Sequence, residues 1–140
     1  MVLRAAQMPG YRYRPLSDFG AYSAAAGFAG SSSTAFPSVI SGADVEDTAA
    51  FAQAVNQGAV QAFLGEPGGA KITGLQPLGT SFAAIEYTQA DGSSAGVILW
   101  TQGRAACLIL VGMTGRNLPD MQAALQLARL QEANALAAQR

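Results

Sequence analysis

The sequence predicts an α+β domain: an antiparallel meander of at least four strands, flanked by a helix in the N-terminal half and a helix at the C-terminus. Three observations carry this. Apolar residues recur at helical spacing between Asp44 and Leu64. From Ala70 to Thr114 the apolar period switches to two, broken by short glycine-bearing turns. Leu118 to Leu136 then returns to a helical period. The 140 residues are enough for one domain, spanning 1–140, with no repeat or long linker.

In chain order, residues 1–15 read as extended. Met8-Pro9-Gly10 is a turn signal, Tyr11-Arg12-Tyr13-Arg14 alternates as a strand does, and Pro15 closes it. Asp18 to about Phe28, rich in alanine, is expected to form a short helix capped by Ser17 or Asp18, and Gly30 to Thr34 a loop. A firmer helix is expected to start at Asp44 as cap, with Glu46 and Asp47 placing negative charge in the first turn. Thr48, Phe51, Ala52, Val55, Ala59, Ala62 and Phe63 would form its apolar face. Gly58 weakens its middle by about 1 kcal/mol relative to alanine. The run Gly65-Glu66-Pro67-Gly68-Gly69 stops it.

The four strands are then expected at Lys71–Leu78, Ser81–Thr88, Gly96–Thr101 and Arg104–Thr114. Asp91-Gly92 is a type I′ hairpin signal, and Gln102-Gly103 makes the last turn. Pro119 and Asp120 suit the start of the final helix. Met121, Leu125, Ala128 and Glu132 mark one line along it, with Leu118, Leu127, Leu130, Ala133 and Ala137 broadening the apolar side.

Composition excludes several chemistries. Charged residues are only 12% of the chain, against about a quarter in ordinary soluble domains. Eight basic residues stand against nine acidic ones, without the basic stripe that displaces counterions from nucleic acid. Arg12 and Arg14 between tyrosines read as an edge strand with one wet face. No apolar run approaches the roughly 18 residues of a membrane span. The chain has no histidine, which removes imidazole catalysis, the histidine-activated nucleophiles and histidine metal sites together. Cys107 is the only cysteine and sits in an apolar strand, where an inert buried thiol is expected. No phosphate-cradling loop is present, since Gly65–Gly69 lacks the Lys and Ser/Thr that complete one. No catalytic residue, metal or cofactor is therefore assigned.

What remains is a candidate surface: Tyr11, Tyr13, Trp100 and Arg104, whose rings and guanidinium could engage a protein partner or a small apolar ligand. Glu86, placed in mid-strand between Ile85 and Tyr87, is the acid that chain position leaves unexplained, and Arg104 is its natural cross-sheet partner. The plainer alternatives are that Trp100 seals the core and that Glu86 faces solvent.

From Gly79-Thr80-Ser81-Phe82, through Trp100-Thr101-Gln102-Gly103-Arg104, to Leu127-Ala128-Arg129-Leu130-Gln131, the chain resembles a class of uncharacterised bacterial exported or lipoprotein-type domains. Met8-Pro9-Gly10 is similar to a turn near their start, and the element order is similar to the PsbP/Mog1-like fold. The resemblance covers the C-terminal half and implies a non-enzymatic, extracytoplasmic accessory domain. Met1 to Gln7 lacks the apolar core of a signal peptide, so an exported protein would have lost its signal. A native Met1 would instead make the protein cytoplasmic. The expectation is a binding or interaction module with a protein partner or small apolar ligand. Its rivals are a homo-oligomeric structural domain and an enzyme using a carboxylate such as Glu86.

Overall fold

The computed structural model describes residues 1–17 and 19–139. Seven strands form one antiparallel sheet: β1 (Arg12–Leu16), β2 (Ala24–Ala29), β3 (Ser38–Val45), β4 (Ala70–Lys71), β5 (Thr80–Thr88), β6 (Ser94–Gln102) and β7 (Ala105–Gly112). The helices are α1 (Ala49–Leu64) and α2 (Met121–Ala138). The sheet order is β1-β2-β3-β7-β6-β5-β4, so two meanders meet where β3 pairs with β7. The expected α+β class, with a meander and two flanking helices, is what the chain forms.

The helices lie on opposite faces. Along β6, Val97 and Leu99 pack with Ala52 and Val60 of α1, while Ile98 and Trp100 pack with Leu125 and Ala128 of α2. In β7, Ala106, Leu108 and Leu110 face α1, and Cys107, Ile109 and Val111 face α2. A strand covered on both faces has no wet side, which is why Ala105 to Gly112 reads as an unbroken apolar run.

Several expectations are corrected. The proposed helix from Asp18 to Phe28 is not formed. Asp18 itself lies outside the described residues; Phe19 and Tyr22 exchange backbone hydrogen bonds across a turn, and Ala24–Ala29 is a strand laddered on both sides. Alanine's helix preference, under about 1 kcal/mol per residue, yields to that two-sided ladder. The first helix starts later than expected. Asp44 belongs to β3, and Thr48 is the cap, its Oγ1 accepting from the Phe51 N–H at 3.1 Å. The helix buries Ala52, Asn56 and Val60 and leaves Phe51 63% exposed.

Of the expected strand Lys71–Leu78 only Lys71 is in a strand, the two-residue β4. Of the expected outer residues of α2, Leu118 and Leu130 are exposed, while a polar residue, Gln131, is fully buried. The Asp91-Gly92 hairpin is not type I′, because only Gly92 has positive φ. The Gln89 carbonyl accepts from the Gly92 N–H, and the Gln89 N–H donates to Ser93. That is a three-residue connection ending in a left-handed glycine.

Gln131 anchors α2 to the sheet. Its Oε1 accepts from Ser41 Oγ at 2.5 Å, and its Nε2 donates to the Gly42 carbonyl at 2.8 Å. Ser41 Oγ in turn accepts from the Leu3 N–H, which fixes the N-terminal segment. Among the described residues no helix is long and apolar enough to cross a membrane.

Candidate functional site

The functional candidates follow from how α1 sits. It packs over β5, β6 and β7, leaving the β1–β3 half of that face to the turn between β1 and β2. Tyr22 of this turn lies directly on β3: a Cβ at Gly42 would stand 3.3 Å from the Tyr22 Cβ and ring. Glycine at position 42 is what lets the tyrosine approach so closely.

Between that turn and α1 runs an apolar groove of about 440 Å³. Phe19 and Tyr22 form one wall, and Val55, Gly58, Ala59 and Phe63 the other. Among the described residues none that lines it is charged. Its size falls within the range of small-molecule sites, about 300–1,000 Å³. Phe51, one helical turn before Val55, extends the apolar rim into solvent.

Two features of this groove are unusual. The Tyr22 hydroxyl is buried and has no hydrogen-bond partner among the described residues. Burial first, with Cys107 and Asp44 adding to it, raises the phenol above its ordinary range, so it stays neutral and able to donate. Gly58 lies inside α1, where glycine costs about 1 kcal/mol relative to alanine. Yet a Cβ built there meets no atom within 4 Å. The fold supplies no steric reason for this glycine.

The opposite flank of α1 is polar. A hollow of about 280 Å³ there is lined by Gln53, Asn56, Gln57, Gln61, Lys71 and Ser81. Asn56 is 1% exposed; its Nδ2 donates to the Ser81 carbonyl at 2.6 Å, and its Oδ1 has no partner among the described residues. The helix therefore separates an apolar site from a polar one.

The residues named from sequence are not brought together. Trp100 is completely buried between the sheet and α2, which removes it from any surface. It alternates with Leu99 along β6, and a helix covers each face. Tyr13 is half-exposed on edge strand β1, its ring 5.7 Å from that of Phe28. Tyr11 precedes β1; its hydroxyl accepts from the Phe36 N–H at 3.2 Å, and it lines a separate hollow of about 400 Å³ beside α2. Arg104 is exposed in the β6–β7 turn, where its N–H donates to Gln139 and its carbonyl accepts from Glu46.

Glu86 is partly buried in β5, opposite Gly96 and Ala70. Gln102, at the Arg104 turn, lies six positions beyond Gly96 in β6, about 20 Å along the strand, so the two charges do not pair. Glu86 lines neither flank of α1.

Cys107 is buried, and burial pushes its thiol up to about 12, as expected for an inert cysteine. Asp44 and Glu46, read from sequence as helix-start charges, instead lie at the end of β3 and just beyond it, where their carboxyl groups interact. Burial opposes ionisation of Asp44, but bonds to Glu46 and Ser23 outweigh it and hold the group below its usual range. The bond to Asp44 holds Glu46 above its own.

Sequence reading placed Val55, Ala59, Ala62 and Phe63 on the apolar face of the helix but missed the groove, because its other wall, Phe19 to Tyr22, lies some thirty to forty positions earlier in the chain. Gly58 was visible there only as a weakness in a helix. The chain matches no protein-family model, no curated protein and no solved structure.

Proposed function

We propose that the domain is a non-enzymatic binding module, acting outside the cytoplasm, whose groove between Tyr22 and α1 takes a small apolar ligand bearing one hydrogen-bond acceptor. Gly58 carries this reading. A mid-helix glycine with open space above it is a cost to the fold that an occupant of the groove would account for. The uncharged lining sets the apolar character of the ligand, and the unpartnered Tyr22 hydroxyl sets its acceptor. The extracytoplasmic location rests on the sparse charge and on the resemblance of Gly79 to Ala137 to exported bacterial domains.

The test is a titration with the fluorescent apolar probe N-phenyl-1-naphthylamine, comparing the parent chain with Gly58→Leu. Leucine is a better helix former by nearly 1 kcal/mol, so melting temperature should rise while its side chain fills the groove. Probe affinity should fall at least tenfold. A parent chain that leaves the probe dark, or a Gly58→Leu variant that binds it equally well, overturns the reading. Because stability and binding should move in opposite directions, unfolding cannot mimic the expected result.

A further inference from the structure

We propose a second ligand site on the polar flank of α1, between that helix and the start of β5, for a small hydroxylated acid of the sugar-acid class. It stands on observations separate from the apolar groove. The first is strain. Among the described residues, Ser81 is the one non-glycine with positive φ, at 54°. It lies where the β5–β6 register shifts between Thr80 and Ala83. Such a conformation costs on the order of 1 kcal/mol and concentrates where backbones serve a site.

The second is an unsatisfied acceptor at the same place. Asn56 is buried beneath the hollow; its amide nitrogen holds the strained Ser81 carbonyl, and its Oδ1 has no donor. A buried unpaired carbonyl oxygen costs about 1–3 kcal/mol. Two uncompensated costs thus meet on one small hollow, and a ligand hydroxyl, or a water that the ligand holds, would relieve the second.

The third is the lining chemistry. Gln53, Gln57 and Gln61 follow one another at one-turn intervals and present a row of amides, each able to donate and to accept. Hydroxyl groups, which also do both, are the natural complement. Lys71, the only lysine of the chain, stands at the sheet side of the hollow, and among the described residues no carboxylate lines it. That favours an anionic group at one end of the ligand.

The experiment follows the side-chain amide NMR signals of Asn56 and the three glutamines in the full chain, with D-glucuronate, D-glucose and acetate as probes. Glucuronate should shift these signals in a saturable way, and glucose should do so about tenfold more weakly, the worth of one charge-assisted hydrogen bond. Lys71→Ala should bring glucuronate down to the glucose level. Gln57→Ala, an exposed helix position that leaves Asn56 in place, should weaken both sugars. Acetate reproducing the glucuronate shifts would overturn the proposal, since the hollow would then hold a bare anion. Absence of saturable shifts with either sugar would also overturn it, leaving Asn56 Oδ1 to an ordinary buried water. The apolar-probe titration is independent of all these outcomes.

Discussion

Trp100 occupies the middle of the α2-side core and is fully buried, yet its Nε1–H has no acceptor among the described residues. Its volume stabilises the fold while its indole nitrogen works against it. Trp100→Ala should destabilise by about 3–5 kcal/mol, whereas Trp100→Phe, which removes the orphan donor and most of the size penalty, should lose less than half of that. Urea denaturation separates the two; equal losses would mean that the indole N–H is satisfied after all.

Asp91 behaves in the opposite sense. Its carboxylate accepts from the Ser93 hydroxyl and N–H across the β5–β6 connection. Those bonds, the hydroxyl first, hold its pKa below the ordinary aspartate value. The contribution is therefore present above the usual carboxylate range and is lost as pH falls through the lowered folded value. A carbon-13 titration should show an Asp91 midpoint below that of a free aspartate, and Ser93→Ala should raise it.

At the scale of elements, alanine is where sequence and structure part. The alanines of β2 were read as helix because propensity is a local quantity, while β2 is held by neighbours on both sides. Ser38–Val45 carried no clean alternation: Gly42 is there to admit Tyr22, and Ser41 to bond Gln131. Both requirements are tertiary and leave no local mark. By contrast β6 and β7 were legible, since double-sided burial writes itself as apolar runs, and β5 was legible from the turns that bound it.

The same reasoning applies to the sheet edges. β1 carries exposed Arg12 and Arg14 with Pro15 between Arg14 and Leu16, and β4 has two residues. Charge, proline and shortness all discourage edge-to-edge pairing. Sedimentation of Arg12→Val/Arg14→Val/Pro15→Thr should show more self-association than the parent chain; an unchanged sedimentation coefficient would mean that the edge is protected otherwise.

For the whole molecule, three layers share one central strand pair. β3 and β7 join the meanders through partners such as Ala43 and Cys107, far apart in the chain. Contacts of that separation make folding slow, because loop closure precedes the gain from pairing. The α2 face of the sheet includes Ile98, Trp100, Ile109 and Val111, all at 0% exposure beneath the final helix and the N-terminal segment. A chain ending at Gly115 should leave much of this surface uncovered and aggregate in light scattering; a soluble monomer would show that the sheet stands without its last layer.

Order of synthesis gives this arrangement a further meaning. β3 is made early, but its partner β7 arrives some sixty residues later, and the cover for β7 is the eighteen-residue helix that ends the fold. Until that helix has left the ribosome, Ala105 to Gly112 is an uncharged, strand-prone segment of the kind that recruits other chains. The interval between the synthesis of β7 and that of the last turn of α2 is thus the one in which this adhesive strand lies uncovered.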